Sequence, residues 1–464
     1  MRVERFAGLF VFILAIWCLR LSAQDYSIRV EVSAALAKAP WFEVQSRNFR
    51  VTGDADTKQL RRIAVDPEEI RRRFLTVFPK NAASQVPTTV IVFRNAKSFR
   101  LFFELRDPAG GVYADLDRNY IVLNAGEKRR RSVYRDYIRM LIGDHVLPLW
   151  LREGLADYYG SIENERYTLG ESRTLQIGYP IYSHEKLLRD RSFLPVNELF
   201  AMTADSPAYD ENDRKNVFLA ESWALVHMLH SPGFEDLLKR LLELLVDKNP
   251  ARESFEAVYQ AEPSLLEARL KDYVKGSRSG GWTYTRIPYC LCESKPNDWL
   301  QFNFDRTLSY VIDQGQRKLT DAEVRFYIGD LLLHSGSLKE AEVYLEDALQ
   351  LSPQLAAAHA SLAVLRIRQG NYDEAKEHIE RALALGSDNP LPYLFYARLI
   401  RQEASALAEL TDEQLQNMQT ALLKAVRLGP NLNEAVDLLS ELDSLLGQRS
   451  DRSFHTASAS APPP

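Results

Sequence analysis

Small residues recur every 34 positions in the last third of this 464-residue chain. Gly329 and Ala363 are 34 apart, as are Ala341 and Ala375, and Ala348 and Ala382, while Ala397 continues the first series. A fixed period of this length restricts the fold severely, because it means one supersecondary unit stacked on copies of itself. Antiparallel helices approach closely only where side chains are small. Gly329 against Ala341, and Ala363 against Ala375, are therefore expected at helix crossings within a unit. Ala348 and Ala382 should meet the next unit, with Leu345 and Ile379 filling the space between. Gly336 and Gly370 fall at turns, Pro353 helps to end a second helix, and Thr320-x-x-Glu323 has the form of a capping box.

A third unit is interrupted. Ala382 and Ala425 are 43 apart, nine more than one period, which puts an insertion between its helices around 403–412. A last amphipathic helix over 433–446 is expected to cap the stack. The Ser-, Ala- and Pro-rich residues 447–464 are expected to be a disordered tail. This pattern resembles the tetratricopeptide repeat, which implies an all-α superhelix over 319–446. The resemblance implies a protein or peptide partner held through the repeats, on a concave face whose residues the sequence does not assign.

The chain is too long for one core. Residues 1–23 read as a signal peptide: Arg2 and Arg5 lead an apolar run over 6–19, and Ala23 precedes Gln24. The expectation is export to the periplasm or secretion, with no membrane span after cleavage; anchoring by an uncleaved N-terminal segment is the alternative. The whole chain carries −5, and without the +2 of residues 1–23 it stands at −7, which argues against nucleic acid as partner. Cys290 and Cys292 lie in a stretch, 276–318, that reads as a linker. Two cysteines do not make a zinc site, and a disulfide across one residue is strained.

Residues 24–275 read as a separate mixed domain. Strands are expected at 49–52, 88–93 and 120–123, where VIVF and YIVL are apolar and β-branched. A helix is expected over 59–78, broken or kinked at Pro67. Others are expected over 131–142, from near Pro148, over 220–229 and over 234–245. WFEVQSRNFRVTG, VIVFRN, DRNYIVLN and LPLWLREGLADYY occur in that order. Together they resemble the bacterial peptidase-MA-like proteins of the gluzincin clan, a resemblance that covers the stretch 41–270. The implied fold is an α+β, thermolysin-like domain joined to the all-α repeats.

That resemblance implies a zinc site: two histidines of H-E-x-x-H with a general-base glutamate, and a glutamate from the following helix as third ligand. Glu153, in WLREGLADY, matches the third ligand. One helix upstream the motif reads R-D-x-x-R: Arg135 and Arg139 stand for the histidines and Asp136 for the base. Arginine stays protonated and offers no lone pair, so it cannot ligate zinc. The expectation is an inactive relative without metal or cofactor. One guanidinium should fill the zinc position and pair with Glu153, with Asp136 as a second anion. His227-x-x-His230 has ligand spacing but lies in an apolar helix, where packing explains it better. The function expected is a non-catalytic binding scaffold in the cell envelope; the alternative is a zinc metallopeptidase with non-standard ligands.

Overall fold

The structure is a computed structural model. It describes residues 40–100, 109–143, 145, 147–166, 172–190, 193–231, 234–247, 251–259, 263–277, 285–290, 314–402 and 409–459. Residues 1–23, where a signal peptide is expected, Cys292 and residues 403–408 of the insertion lie outside them. No helix among the described residues is long and apolar enough to cross a membrane.

The N-terminal region is built on a six-stranded mixed sheet in the order β4-β5-β3-β2-β1-β9. Its strands are β1 (Phe42–Gln45), β2 (Phe49–Gly53), β3 (Thr88–Phe93), β4 (Gly110–Tyr113), β5 (Asn119–Asn124) and β9 (Gln314–Lys318). The central β2, β3 and β5 run parallel, and the outer strands pair antiparallel. Alternation along each strand divides the side chains between two faces. Val51, Val90, Val92, Ile121 and Leu123 join the core of the N-terminal helices. Ile91, Phe93, Tyr120 and Val122 point the other way, into a second core shared with the repeats. Burial on both faces explains why VIVF and YIVL are continuously apolar.

Helix α1 (Thr57–Val77) packs in the first core, and α2 (Ala96–Arg100) follows β3. Of the break or kink expected at Pro67, the break does not occur: α1 runs through it. Proline removes one helical hydrogen bond, and the burial of Val65, Asp66, Pro67, Glu68 and Glu69 holds the chain helical across it. Helices α3 (Arg131–Ile142) and α4 (Leu149–Gly160) lie beyond β5. A second, three-stranded antiparallel sheet combines β6 (Ile162–Arg166), β7 (Ser172–Ile177) and β8 (Thr285–Cys290). The remaining helices of the region are α5 (Tyr182–Asp190), α6 (Val196–Ala201), α7 (Pro207–Asp210), α8 (Asn212–Leu229), α9 (Glu235–Val246), α10 (Ala251–Tyr259) and α11 (Pro263–Ser277).

The repeats are helix pairs: α12 (Asp321–Ser335) with α13 (Leu338–Leu351), α14 (Ala356–Gln369) with α15 (Tyr372–Ala384), and α16 (Pro390–Gln402) with α17 (Asp412–Leu428). The Thr320/Glu323 capping box forms. Gly336 and Gly370 end their helices at φ +88° and +82°, the left-handed conformation that favours glycine. A Cβ on Gly329 would lie 2.8 Å from Leu345 Cγ, so glycine permits the first crossing. Helix α18 (Asn433–Ala459) runs well past residue 446, where a disordered tail was expected, so the capping helix does not stop at the change in composition.

The stretch 276–318 is more than a linker, since β8 and β9 lie within it. β9 zips onto β1, and the Leu319 amide donates to the Trp41 carbonyl at 2.9 Å. Glu43 accepts from Arg317 Nε at 3.0 Å and from the Tyr327 hydroxyl at 2.8 Å. This strand delivers α12 onto the second face of the sheet. There Asp330, 1 % exposed, accepts from Arg118 Nη1 at 3.0 Å, from Ser361 Oγ at 2.6 Å and from the Tyr120 hydroxyl. Asp117 accepts from Asn389 Nδ2 at 2.6 Å, and Arg368 pairs with Asp115. The first helices of the repeats thus cover the sheet, and the two regions share one core.

Candidate functional site

Helix α4 is buried along almost its whole length between α3 and α8. Two glycines allow this. A Cβ on Gly154 would fall 2.4 Å from the Ser222 carbonyl oxygen of α8, and one on Gly160 would fall 2.8 Å from Arg135 Cγ of α3. Buried between helices, the carboxylates of α4 must be paired. Glu153 and Asp157 stand four residues apart and face α3, where Arg131, Arg135 and Arg139 repeat at the same spacing.

The result is a ladder. Arg131 pairs with Asp157. Arg135 bridges both carboxylates, its Nε 2.8 Å from Asp157 Oδ1 and its Nη2 3.3 Å from Glu153 Oε2. Arg139 takes Glu153 in a two-pronged grip, Nε to Oε1 at 3.2 Å and Nη2 to Oε2, and also binds Asp136. Arg152 Nε lies 3.6 Å from Glu153 Oε1. One guanidinium was expected at Glu153, and two are there, with Asp136 linked through Arg139. Burial alone would raise the Asp157 carboxyl, but Arg135, His184 and Arg131 outweigh it and hold it well below the usual carboxylate range. Burial likewise disfavours the Arg139 charge, yet Glu153 and Asp136 raise its pKa further above its ordinary value.

Sequence reasoning missed Arg131, Asp157 and His184. His184 Nε2 lies 3.2 Å from Asp157 Oδ2 and 3.0 Å from Arg131 Nη2, and burial lowers its pKa despite the aspartate. The four-residue spacings of Arg131/Arg135/Arg139 and of Glu153/Asp157 were the available signal for the ladder. Nothing local pointed to His184. The carboxylate oxygens of Glu153 and Asp157 all face guanidinium groups or His184, so a metal ion would have to displace cations to reach them.

His227 and His230 serve packing. His227 lies between the Gly178 carbonyl, 3.0 Å from Nε2, and the Tyr273 hydroxyl, 2.8 Å from Nδ1. His230 stacks on Tyr158 at 3.8 Å, with Nε2 3.0 Å from the Tyr159 hydroxyl. Burial lowers their pKa values to about 4 and about 3, so both are neutral at pH 7. His145 contacts the Ala82 carbonyl at 2.9 Å.

The tetratricopeptide repeat family model matches residues 332–399, from the end of α12 into α16. The helix pairs and the match together suggest a protein-binding scaffold. No curated protein matches the chain. The family match does not reach residues 41–270.

Proposed function

We propose that the protein is an exported, non-catalytic binding scaffold, in which a degenerate peptidase-MA-like region carries a tetratricopeptide-repeat arm. The observation that carries this reading is the ladder. Where the resemblance calls for two imidazoles and a free glutamate around a metal, two guanidinium groups grip Glu153. Charge-assisted, two-pronged bonds of this kind fix geometry well and add little net stability when buried. They join α3 to α4 without leaving a base to activate water. Among the described residues no strand pairs with the outer edge of β4, which lies against α3. That edge offers an extended peptide a place to pair without being cut.

Metal analysis of the purified mature chain, with a peptide-hydrolysis assay and Glu153→Ala as control, tests the proposal. No stoichiometric zinc and no hydrolysis are expected. Stoichiometric zinc that disappears in Glu153→Ala, with hydrolysis disappearing alongside it, would overturn the reading in favour of a metallopeptidase with non-standard ligands.

A further inference from the structure

We propose that the docking of the repeats on the sheet is held by a proton on His334 and loosens as the pH rises above neutral. The side chain of His334 is 1 % exposed. Its Nδ1 lies 2.7 Å from the Asp330 carbonyl oxygen, one turn back in α12, and its Nε2 lies 3.2 Å from Asp117 Oδ1. A carbonyl and an ionised carboxylate only accept. Both ring nitrogens must therefore donate, and only the imidazolium does that.

The surrounding charges favour the same form. From α12, the Asp330 carboxylate approaches to 3.7 Å. The β4–β5 connection brings Asp115, Asp117 and Arg118, and β5 sets the Tyr120 ring edge-on at 5.3 Å. From α14, Arg368 pairs with Asp115. Ahead of α16, Asp388 lies 3.7 Å from Arg118, and Asn389 donates to Asp117. Four carboxylates thus face two guanidinium groups, and the imidazolium makes up part of the deficit.

Burial alone would lower the His334 pKa, but Asp330 and Asp117 overcome it and raise it to about 9 from an ordinary 6.5. A raised folded-state value contributes stability in full below the unfolded pKa and loses it as the pH climbs through the folded one. The contribution is therefore complete below pH 6.5 and gone above about pH 9. Asp117 has the opposite sign. Burial would raise its carboxyl, but His334 and Arg118 depress it, so its contribution is lost only in strong acid. Deprotonation removes one of the two His334 donations and the charge facing Asp117, the contact that ties α12 to the β4–β5 connection, so the pH sets how firmly the array holds its own sheet.

The test uses the full mature chain. Urea unfolding between pH 6 and 9.5 is compared for the wild type, His334→Gln and Asp117→Asn; titrating groups common to all three cancel in the comparison. The wild-type ratio of folded to unfolded molecules should fall on the order of 10²-fold more than that of His334→Gln, as expected for a shift from 6.5 to about 9. Carbon-13 spectra of labelled histidines should show one resonance, absent from His334→Gln, that keeps its imidazolium position at pH 7.5. Asp117→Asn should bring that resonance down toward its ordinary titration, which decides the matter if His334→Gln does not fold. A His334 resonance titrating at or below 6.5, or equal pH slopes in wild type and His334→Gln, would overturn the proposal.

Discussion

Replacing Asp330 by asparagine tests whether the repeats and the sheet are one body. The substitution keeps the shape and an oxygen for Ser361, but it removes the charge opposite Arg118. The Arg118 side chain is 8 % exposed and lies 5.6 Å from the Phe326 ring centroid. Among the described residues it also pairs with Asp388 at 3.7 Å, a side chain 60 % exposed. Stranding one member of a buried pair costs about 3–5 kcal/mol, and the nearby Asp388 and Asp117 reduce that to about 2–4 kcal/mol here. Urea unfolding followed by tryptophan fluorescence and by circular dichroism measures it. Among the described residues the fluorescence comes from Trp41, Trp150 and Trp223, all buried in the N-terminal region, while circular dichroism reports on the helices of both regions. Both probes should give one coincident transition, shifted to lower urea in Asp330→Asn. The double variant Arg118→Met/Asp330→Asn should recover part of the loss, since no cation is then stranded and Ser361 keeps an acceptor. A loss below about 1 kcal/mol, or separate transitions for the two probes, would refute a shared core held by this pair.

Two further substitutions probe the N-terminal region. Gly154→Ala should cost about 1–3 kcal/mol in urea unfolding despite alanine's better helix propensity, because its Cβ would meet the Ser222 carbonyl at 2.4 Å; a neutral or stabilising result would mean that α4 and α8 do not cross there. Glu221, 1 % exposed, accepts from the Leu194 amide at 2.6 Å, and burial pushes its carboxyl up to about 8. A raised carboxyl penalises the fold as the pH climbs from 4.5 toward 8. Glu221→Gln should then stabilise by about 1–3 kcal/mol at pH 8 and change little at pH 5, and an equal effect at the two pH values would count against the burial argument.

Local features were legible from the sequence, and the pairings between distant segments were not. The repeats announced themselves because each contact that defines them lies within one or two periods, as with Gly329 and Leu345. The bounds of α3 followed from its apolar stripe, and β3 from VIVF. β9 was hidden for the opposite reason. Gln314-Gly-Gln-Arg-Lys318 has little intrinsic strand preference, and its conformation comes from β1, far away in sequence. The cover over the second face of the sheet left one sign. Asp330 and His334 sit four apart in a helix otherwise apolar on nearly all sides, as expected of a helix packed on more than one side around a buried polar cluster. In the candidate site, the arginines at 135 and 139 could be read against a motif. Arg131, Asp157 and His184 belong to the same ladder, but no motif word contains all three.

The clasp between β1 and β9 bears on the order in which the chain can fold. Glu43 and Arg317 are 274 residues apart in sequence. As the chain is made from its N-terminus, the sheet has its β1 edge open and one apolar face bare until β9 and α12 arrive. The repeats, built from neighbouring contacts, are the fast-forming part. A segment made late therefore completes the first, and the interval between them is when Trp41, Phe93 and Tyr120 stand exposed to aggregation. A chain of this design needs either rapid completion or a chaperone to cover that face in the meantime.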